Sequence, residues 1–334
     1  MIFQLPEVIQ ALLDPETYPG TSQSVEMAQT QMSFVFLTGD YVYKVKKPVN
    51  LGYLDYTTLD KRYFYCQREL ELNRRLCPDT YLGVVPITRN RDEVTLEGRG
   101  EIIEYAVKMR YLPWELMMNA LLADNRVTAL MVTSVAQKLA EFHRQAATDA
   151  AISAFGGLEI IIENTEENFS QTVKYIGNTI SQENYRRIKA YTRSFIDKNV
   201  SLFRERIAES KIRDCHGDLH AAHICFADDI CIYDCIEFND RFRYCDIASE
   251  IAFLAMDLDY YGRTDLSRSF IDAYIDFSQD DELSRLLSFY KCYRAYVRGK
   301  VESFKLDDHH ISEEEKAKVQ AVAKEYFILA QSYI

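Results

Sequence analysis

A change of sequence pattern near residue 112 constrains the fold of this 334-residue chain more than any other feature. From about residue 30 to 112, short β-branched and aromatic runs alternate with turn sequences such as TGD, RNRD and EGRG. This pattern is typical of antiparallel strands. One helix is predicted among them, starting near Thr58 and closed by Pro78. The pattern predicts a small antiparallel sheet lobe over residues 1–112 and a mostly helical lobe over 113–334.

The sequence after residue 112 predicts long helices. In VTALMVTSVAQKLAEFHRQA, Met131, Val135, Leu139 and Phe142 recur at helical spacing on one face. Further helices are predicted at roughly 182 to 209, 246 to 259, 264 to 277, 282 to 304 and 312 to 332. Only one strand pair is expected among them, HICF and ICIYD around the turn ADD. If that turn is centred between Asp228 and Asp229, His223 lies opposite Asp234.

Charge and hydropathy exclude two classes of partner. A net charge of −12 argues against nucleic acid, whose binding depends on basic residues that release counterions. No run reaches the roughly 18 apolar residues of a membrane helix. The start of the sequence has no basic leader ahead of an apolar stretch, so a cytoplasmic protein is expected. Two local basic clusters, RFRY at 241 to 244 and YRAYVRGK at 293 to 300, are candidates for binding an anion or for solvated helix faces.

The cysteines do not form a recognisable framework. There are eight in a long chain, and no pair has CxxC spacing. The density is too low for a disulfide scaffold, and the spacing is wrong for a zinc ribbon. We expect most of them to be buried, reduced thiols.

The stretch HGDLHAAH, residues 216 to 223, holds three histidines and an aspartate. Spacings of four and three between the histidines match zinc ligands on one helix face, but Gly217 and the strand that follows argue against such a helix. Caps and loop hydrogen bonds are the structural alternative for any single residue. Together with Asp234, the set suggests a general base, Asp218, beside a cation site.

HGDLH, followed by a short hairpin that ends in an aspartate, resembles the aminoglycoside phosphotransferase and choline kinase branch of the protein-kinase-like fold. The resemblance implies that Asp218 is the catalytic residue and that His223 and Asp234 bind the metal. It also implies that Asp246 steadies the catalytic loop, although an N-cap alone explains that residue.

The stretches VFLTGDYVYKVKKPV, LNRRLCPDTYLGVVPI and DCIEFNDRFRYCDIASEIAFLAMDLD resemble more closely the uncharacterised bacterial phosphotransferase domain that is often fused to a P-loop kinase. No GxxxxGKS sequence occurs in the chain. A P-loop kinase partner, if there is one, is therefore expected to be a separate protein.

The resemblance also assigns the nucleotide-binding residues. In the kinase fold a strand lysine holds the α and β phosphates and is braced by a helix glutamate. The motif YVYKV favours Lys44 for this lysine, with Lys46 as a rival on the same face of the strand. Glu69 shares a helix face with Leu72 and Leu76, so it is predicted to face the sheet and to pair with Lys44. Glu71 falls on the opposite, solvated face.

The remaining nucleotide contacts follow from position alone. MAQTQMSFVFLTGD contains no GxGxxG sequence, so backbone amides near Thr30 to Ser33 are the candidates for the phosphates. Adenine is expected to contact the backbone at Met109, Arg110 and Tyr111, where the resemblance places the connection between the lobes. A strand that simply joins the two lobes is the alternative.

His223 departs from the family pattern, which has asparagine at this position. An imidazole suits Mn²⁺ better than Mg²⁺, which prefers oxygen ligands. The resemblance implies an ATP-dependent phosphotransferase that uses Mg²⁺, or Mn²⁺, and acts on a hydroxyl of a small molecule. Two alternatives stay open: a nucleotide-binding pseudokinase or interaction module without turnover, and an AMP transferase.

Overall fold

A computed structural model describes residues 5–20, 24–308 and 311–334. The helices are α1 (Glu7–Ala11), α2 (Leu59–Asn73), α3 (Met118–Ala123), α4 (Ala129–Gln145), α5 (Ala150–Ser153), α6 (Leu158–Thr172), α7 (Gln182–Lys198), α8 (Val200–Ala208), α9 (Asp240–Arg243), α10 (Ile247–Tyr260), α11 (Thr264–Ser278), α12 (Leu287–Phe304) and α13 (Glu313–Ser332). The strands are β1 (Glu26–Gln29), β2 (Ser33–Leu37), β3 (Tyr41–Lys46), β4 (Tyr81–Asn90), β5 (Glu93–Leu96), β6 (Glu101–Arg110), β7 (Ile212–Asp214), β8 (Ile224–Phe226), β9 (Ile230–Ile232) and β10 (Tyr244–Asp246). In the described part of the chain, no helix is long and apolar enough to cross a bilayer.

The chain packs into two compact units. The first contains the described residues up to Ala120 together with Ala222–Asp240, and the second contains Leu121–Ala221 with Arg241–Ile334. The β8–β9 hairpin thus packs with the first unit, although the sequence analysis grouped it with the helical lobe. The predicted lobe boundary at residue 112 remains a prediction.

An antiparallel sheet organises the first unit, in the order β1-β2-β3-β6-β4-β5. Strand β3 lies between β2 and β6, and within it Val45 pairs with Phe34 on one side and with Ala106 on the other. Phe36, Val45, Ile87 and Ala106 are almost completely buried in one face of the sheet. Lysines carried by β3 are therefore held on a rigid central strand.

Helix α2 begins where the sequence predicts. The Thr58 side chain accepts a hydrogen bond from the Lys61 amide, which satisfies one of the free donors of the first turn. The helix ends at Asn73, well before Pro78, because the next residues form turns. Glu69 and Leu72 are buried as predicted. Glu71 is exposed and pairs with Arg68 at the surface.

Helices dominate the second unit, and α10 is the central one. Every residue of α10 from Ile247 to Leu258 is buried. The predicted helix over 182 to 209 is two helices, which meet at Asn199. Helix α6 and the short β7–β10 pair were not predicted, and the three-residue strands of that pair are too short to show a periodicity.

The predicted hairpin register is wrong by one residue. Ile224 pairs with Ile232 and Phe226 with Ile230, so three residues form the loop instead of two. His223 therefore lies opposite Tyr233, whose amide donates to the His223 carbonyl at 3.0 Å. A one-residue slip normally turns a side chain to the other face of the hairpin. The next residue, Asp234, has a φ of +61°, and this left-handed conformation changes the direction of its carboxylate.

The expectation of reduced cysteines is wrong for one pair. Cys77, just beyond α2, and Cys231 of β9 form a disulfide across 154 residues of sequence. The other six cysteines are thiols outside any disulfide, and all but Cys245 are buried. Burial raises the pKa of the Cys66 thiol to about 12, which makes it a poor nucleophile.

Candidate active site

Two lysines of β3 bind one buried carboxylate. Lys44 Nζ lies 2.9 Å from Glu69 Oε1, and Lys46 Nζ lies 2.7 Å from Glu69 Oε2. Alternate residues of a strand point to the same side, so both lysines reach α2. Burial acts to raise the pKa of Glu69, but the two ammonium groups outweigh it and the net shift is downward. Glu69 is therefore ionised and forms an ion pair with each lysine, and of its two oxygens Oε2 accepts the hydrogen bond from Lys46.

The second partners of the lysines distinguish them. Lys44 also donates to Asp234 Oδ1 at 2.6 Å, and its side chain is 15% exposed. Lys46 donates to Glu237 Oε1 at 2.5 Å, and its side chain is 1% exposed. Burial acts to lower the pKa of Lys44, but Asp234 and Glu69 raise it well above the ordinary lysine value. Only Lys44 combines solvent access with the predicted metal residue, so the geometry favours Lys44 over Lys46 for the phosphate-binding role.

Asp234 and His223 offer two ligand atoms to a cation. His223 Nε2 lies 3.6 Å from Asp234 Oδ2, and the Asp234 side chain is 41% exposed. The Asp234 amide donates to the Tyr81 hydroxyl at 3.3 Å, which helps to hold the segment in place. One carboxylate oxygen and one imidazole nitrogen suit a divalent cation, with a bias towards metals that accept nitrogen. This donor set therefore fits the predicted metal site.

Asn73 and Glu237 were missed by the sequence analysis. Asn73 Oδ1 accepts from the Cys235 amide, next to Asp234, and Asn73 Nδ2 donates to the Glu69 carbonyl, each at 2.8 Å. Glu237 accepts from Lys46 and also from the Tyr56 hydroxyl, at 2.6 Å. Helix α2 and the Asp234 segment are thus tied together beside the Lys44 ion pair. The only local signal was the presence of polar residues in otherwise apolar surroundings.

The predicted phosphate amides are engaged in a turn. The Thr30 hydroxyl accepts from the amides of Met32 and Ser33 at 3.3 and 3.0 Å. The Thr30 amide donates to the Ser33 carbonyl at 2.9 Å, closing the turn between β1 and β2. A phosphate would have to displace the Thr30 hydroxyl to reach the Met32 and Ser33 amides.

The predicted adenine residues end strand β6. Met109 pairs with Val42 of β3 and with Tyr81 of β4, so strands flank it on both sides. The Tyr111 amide donates to the Asp40 carbonyl at 2.8 Å. The Tyr111 side chain is 40% exposed. Adenine binding at Met109 and Tyr111 stays a prediction.

The loop that carries Asp218 lies in the second unit, and one glutamate of α10 holds it. Glu250 accepts hydrogen bonds from the His216 amide, at 2.9 Å to Oε2, and from the Gly217 amide, at 2.7 Å. Gly217 has a φ of +88°, a conformation that favours glycine. The next amide, that of Asp218, donates to His216 Nδ1 at 3.3 Å. The backbone is thereby fixed immediately before the predicted catalytic carboxylate.

Glu250 is itself held in place. His143 Nε2 lies 3.0 Å from Glu250 Oε1, and His143 Nδ1 lies 2.8 Å from the Tyr274 hydroxyl. Burial acts to raise the pKa of Glu250, but the hydrogen bond and charge of His143, with His216, lower it to about 2. The carboxylate is therefore ionised at neutral pH and works as a permanent acceptor.

Asp246 does not have the role that the resemblance implied. It caps α10 as predicted, accepting from the Ala248 amide at 2.8 Å. Its carboxylate also binds Arg206 at 2.7 Å, in a buried ion pair. Among the described residues, Glu250 rather than Asp246 accepts from the catalytic-loop amides. The sequence signal available for this role was Glu250 itself, a glutamate that lies one helical turn after the cap residue Asp246.

The helical zinc arrangement does not occur. Residues 216–220 are irregular, and only a short 3₁₀ turn at Ala221–His223 precedes β8. His216 is fully buried and serves the loop. His220 Nε2 lies 3.6 Å from Asp218 Oδ2, close to the predicted catalytic residue. The three histidines therefore do not lie on one helix face.

The chain is similar to known proteins in sequence and, separately, in fold. No protein-family model matches it. Uncharacterised proteins of Mycobacterium tuberculosis and Mycobacterium bovis are 32% identical over 289 residues, which is 86% of this chain. The chain spans only 56% of the length of those relatives.

Three solved structures have a similar fold. A glucosamine kinase in complex with glucosamine, ADP and inorganic phosphate is 17% identical, with a TM-score of 0.50 over 95% of this chain and 80% of its own. A choline/ethanolamine kinase family protein from Mesorhizobium loti is 11% identical, with a TM-score of 0.51 over 97% and 98%. An aminoglycoside phosphotransferase from Alicyclobacillus acidocaldarius is 12% identical, with a TM-score of 0.50 over 99% and 95%. At these identities the likeness is one of fold, and the chain has the two-lobed α+β protein-kinase-like fold that these small-molecule kinases share.

Proposed function

We propose that this protein is an ATP-dependent phosphotransferase that transfers the γ-phosphoryl group to a hydroxyl of a small molecule. The observation that carries the proposal is the arrangement of Lys44, which binds Glu69 and Asp234 at once. A strand lysine braced by a helix glutamate and adjacent to a metal-binding aspartate is the phosphate-binding arrangement of the kinase fold. The fold shared with glucosamine and choline/ethanolamine kinases supports a small-molecule acceptor.

Each residue has one proposed task. Asp218 orients the acceptor hydroxyl and takes its proton as the oxygen attacks the γ-phosphorus. Lys44 neutralises charge on the nucleotide phosphates, and Glu69 holds the lysine in position. Glu250 fixes the backbone before Asp218, so that the carboxylate needs little reorganisation when the substrate binds. Catalysis then consists of positioning and charge neutralisation.

Asp234 and His223 are the residues that would hold Mg²⁺ or Mn²⁺. The bound cation would supply positive charge next to the phosphates of ATP. Lys44 occupies Asp234 Oδ1 at 2.6 Å, whereas Oδ2 faces His223. The Asp234 carboxylate is therefore able to serve lysine and cation with different oxygens.

The test is ADP release from ATP with Mg²⁺ or Mn²⁺ across a panel of sugars, amino sugars, amino alcohols, hydroxy acids and aminoglycosides. We expect acceptor-dependent ADP release that falls about 10²-fold or more in Asp218→Asn, because a positioned base is lost. Asp272→Asn, an exposed aspartate on α11, is the matched control and should behave as the parent. Full activity in Asp218→Asn would remove this residue from the mechanism.

A nucleotide-binding module without turnover is the second candidate. It is favoured by the Thr30 turn, which occupies the Met32 and Ser33 amides, and by the imidazole at His223. ATP binding without ADP release for any acceptor or metal would support this module. AMP transfer is separated from phosphoryl transfer by the mass of the product. The separate P-loop kinase partner also remains a prediction.

A further inference from the structure

Two arginines of α12, the buried Arg294 and the half-buried Arg298, differ from the buried arginines elsewhere in this acidic protein. Elsewhere the buried guanidinium groups are paired with carboxylates, because an unpaired buried charge is costly. These pairs are Arg62 with Glu104 at 2.7 Å, Arg206 with Asp246 at 2.7 Å and Arg243 with Asp214 at 2.6 Å. In the described part of the chain, Arg294 and Arg298 have no carboxylate oxygen within 4.0 Å.

Arg294 anchors α12 to the catalytic loop. Its Nη1 donates to the Gly217 carbonyl at 3.3 Å, one residue before Asp218. Its Nε donates to the Ser249 hydroxyl at 3.1 Å, and the guanidinium lies 4.8 Å from the centre of the Phe253 ring. Carbonyl and hydroxyl oxygens satisfy its donors without neutralising its charge. Arg294 therefore places a positive charge beside the predicted catalytic loop.

Arg298 lies one turn further along the same face of α12. Its guanidinium is 5.5 Å from the centre of the Tyr326 ring, and its buried Nε has no hydrogen-bond partner among the residues that the structure describes. Burial acts to lower the pKa of Arg298, but Tyr326 and the carboxylates of Asp218 and Asp257 raise it above the ordinary value. The guanidinium is thus charged, and it lies one helical turn from the arginine that binds the Gly217 carbonyl of the catalytic loop.

We infer that the acceptor is an anionic hydroxyl compound, a hydroxy acid or a phosphorylated polyol, whose carboxylate or phosphate binds Arg298. This inference rests on the proposed phosphotransferase function. A guanidinium fork matches the two oxygens of either anion and binds them with charge-assisted hydrogen bonds. The anionic group of the ligand would supply the counter-charge that no described carboxylate gives to Arg294 and Arg298. In this proposal the basic sequence YRAYVRGK binds the acceptor, a task that none of the proposed ATP-binding residues has.

The chemical step is that of the proposed function. The acceptor hydroxyl oxygen forms a bond to the γ-phosphorus, the bond from that phosphorus to ADP breaks, and Asp218 receives the hydroxyl proton. Arg298 takes no part in these bond changes. It is a specificity residue that holds the acceptor through its anionic group.

The activity test uses four probes with one carbon skeleton and different charges. D-gluconate and D-glucose 6-phosphate are anionic, D-glucose is neutral and D-glucosamine is cationic. With ATP and Mg²⁺, we expect ADP release with at least one anionic probe and a lower kcat/KM for the neutral and cationic probes. Arg298→Met should lower kcat/KM for the anionic probe about 10- to 100-fold, mainly through KM. Arg298→Lys should recover part of that loss, and Arg268→Met, an exposed arginine of α11, should change nothing.

A binding arm separates this inference from the proposed function. Calorimetric titration of D-gluconate and of D-glucose 6-phosphate into protein saturated with ADP and Mg²⁺ does not require turnover. Binding of either probe that weakens about tenfold or more in Arg298→Met supports the inference even if ADP release is absent, which would count against the phosphotransferase alone. Preference for D-glucosamine or D-glucose, binding of neither anion, or equal anion affinity in a folded Arg298→Met variant would overturn the inference. The difference between the two anionic arms identifies carboxylate or phosphate as the preferred group.

Discussion

Lys44 and Lys46 bind opposite oxygens of the same carboxylate, that of Glu69, at 2.9 and 2.7 Å. The two lysines are separated by one residue on β3, yet their surroundings differ. Lys46 is enclosed between Glu69 and Glu237, whereas Lys44 reaches the partly exposed Asp234. One lysine therefore completes a buried ion network, and the other is accessible to a ligand.

Replacing the two lysines separately should lower mainly the activity in one variant and mainly the stability in the other. Lys44→Met should lower turnover about 10²-fold or more and weaken ATP binding, because the phosphates lose their counter-charge. Lys46→Met should lower the free energy of unfolding by about 3–5 kcal/mol, because two buried carboxylates lose a partner. Urea unfolding and ATP titration of both variants measure the contrast. A larger loss of ATP affinity in folded Lys46→Met than in Lys44→Met would reverse the assignment.

His223→Asn tests the predicted metal site. Asparagine supplies an oxygen ligand, so we expect Mg²⁺-supported activity equal to or above that of the parent. An imidazole must shed its proton before it coordinates a metal, so the variant should also be less sensitive to acid over roughly pH 5.5 to 7. The measurement is activity against pH with Mg²⁺ and with Mn²⁺, together with metal analysis. Stoichiometric zinc in the parent, lost with activity in the variant, would show that His223 is a zinc ligand.

Glu250→Gln should impair the catalytic loop without removing a group that contacts substrate. A glutamine amide cannot accept from the His216 and Gly217 amides with both of its terminal atoms, so the loop loses a hydrogen bond and kcat should fall. ATP affinity should stay near the parental value. Glu205→Gln, an exposed glutamate on α8, is the matched control. An unchanged kcat in Glu250→Gln would remove the positioning role.

The low pKa of Glu250 also predicts acid sensitivity. Folding depresses this pKa from 4.5 to about 2. A depressed carboxyl pKa stabilises the fold above the unfolded value, and the contribution is lost as pH falls through the folded value. Between pH 5 and 2 the parent should therefore lose about 3 kcal/mol more unfolding free energy than Glu250→Gln. Urea unfolding across this range measures the difference, and parallel curves would contradict it.

Thiol counting tests the Cys77–Cys231 pair. Under denaturing, non-reducing conditions the parent should titrate six thiols from its eight cysteines. Cys77→Ser should titrate seven, because Cys231 is released. Eight thiols in the parent would contradict the disulfide.

The sequence by itself predicted the elements whose signals are local. Strand alternation, turn residues and the Thr58 cap located the sheet and the start of α2, since these features depend on neighbouring residues. The face periodicity of α2 turned Glu69 inward, and the motif resemblance selected Lys44 and Asp234. The structure brings these three side chains together. Their catalytic roles, and that of Asp218, remain predictions.

Only the tertiary structure decided the contacts that join distant parts of the chain. Glu250 binds amides more than thirty residues away, Asn73 binds the Cys235 amide across 162 residues, and Cys77 meets Cys231 across 154. No local periodicity encodes such pairs, because they depend on how complete elements pack. The predicted hairpin register was wrong because the loop has three residues instead of two. The left-handed φ of Asp234 compensates for this one-residue shift by changing the direction of the carboxylate. Packing also left Arg298 without a carboxylate partner among the described residues, a property that its sequence neighbours do not determine.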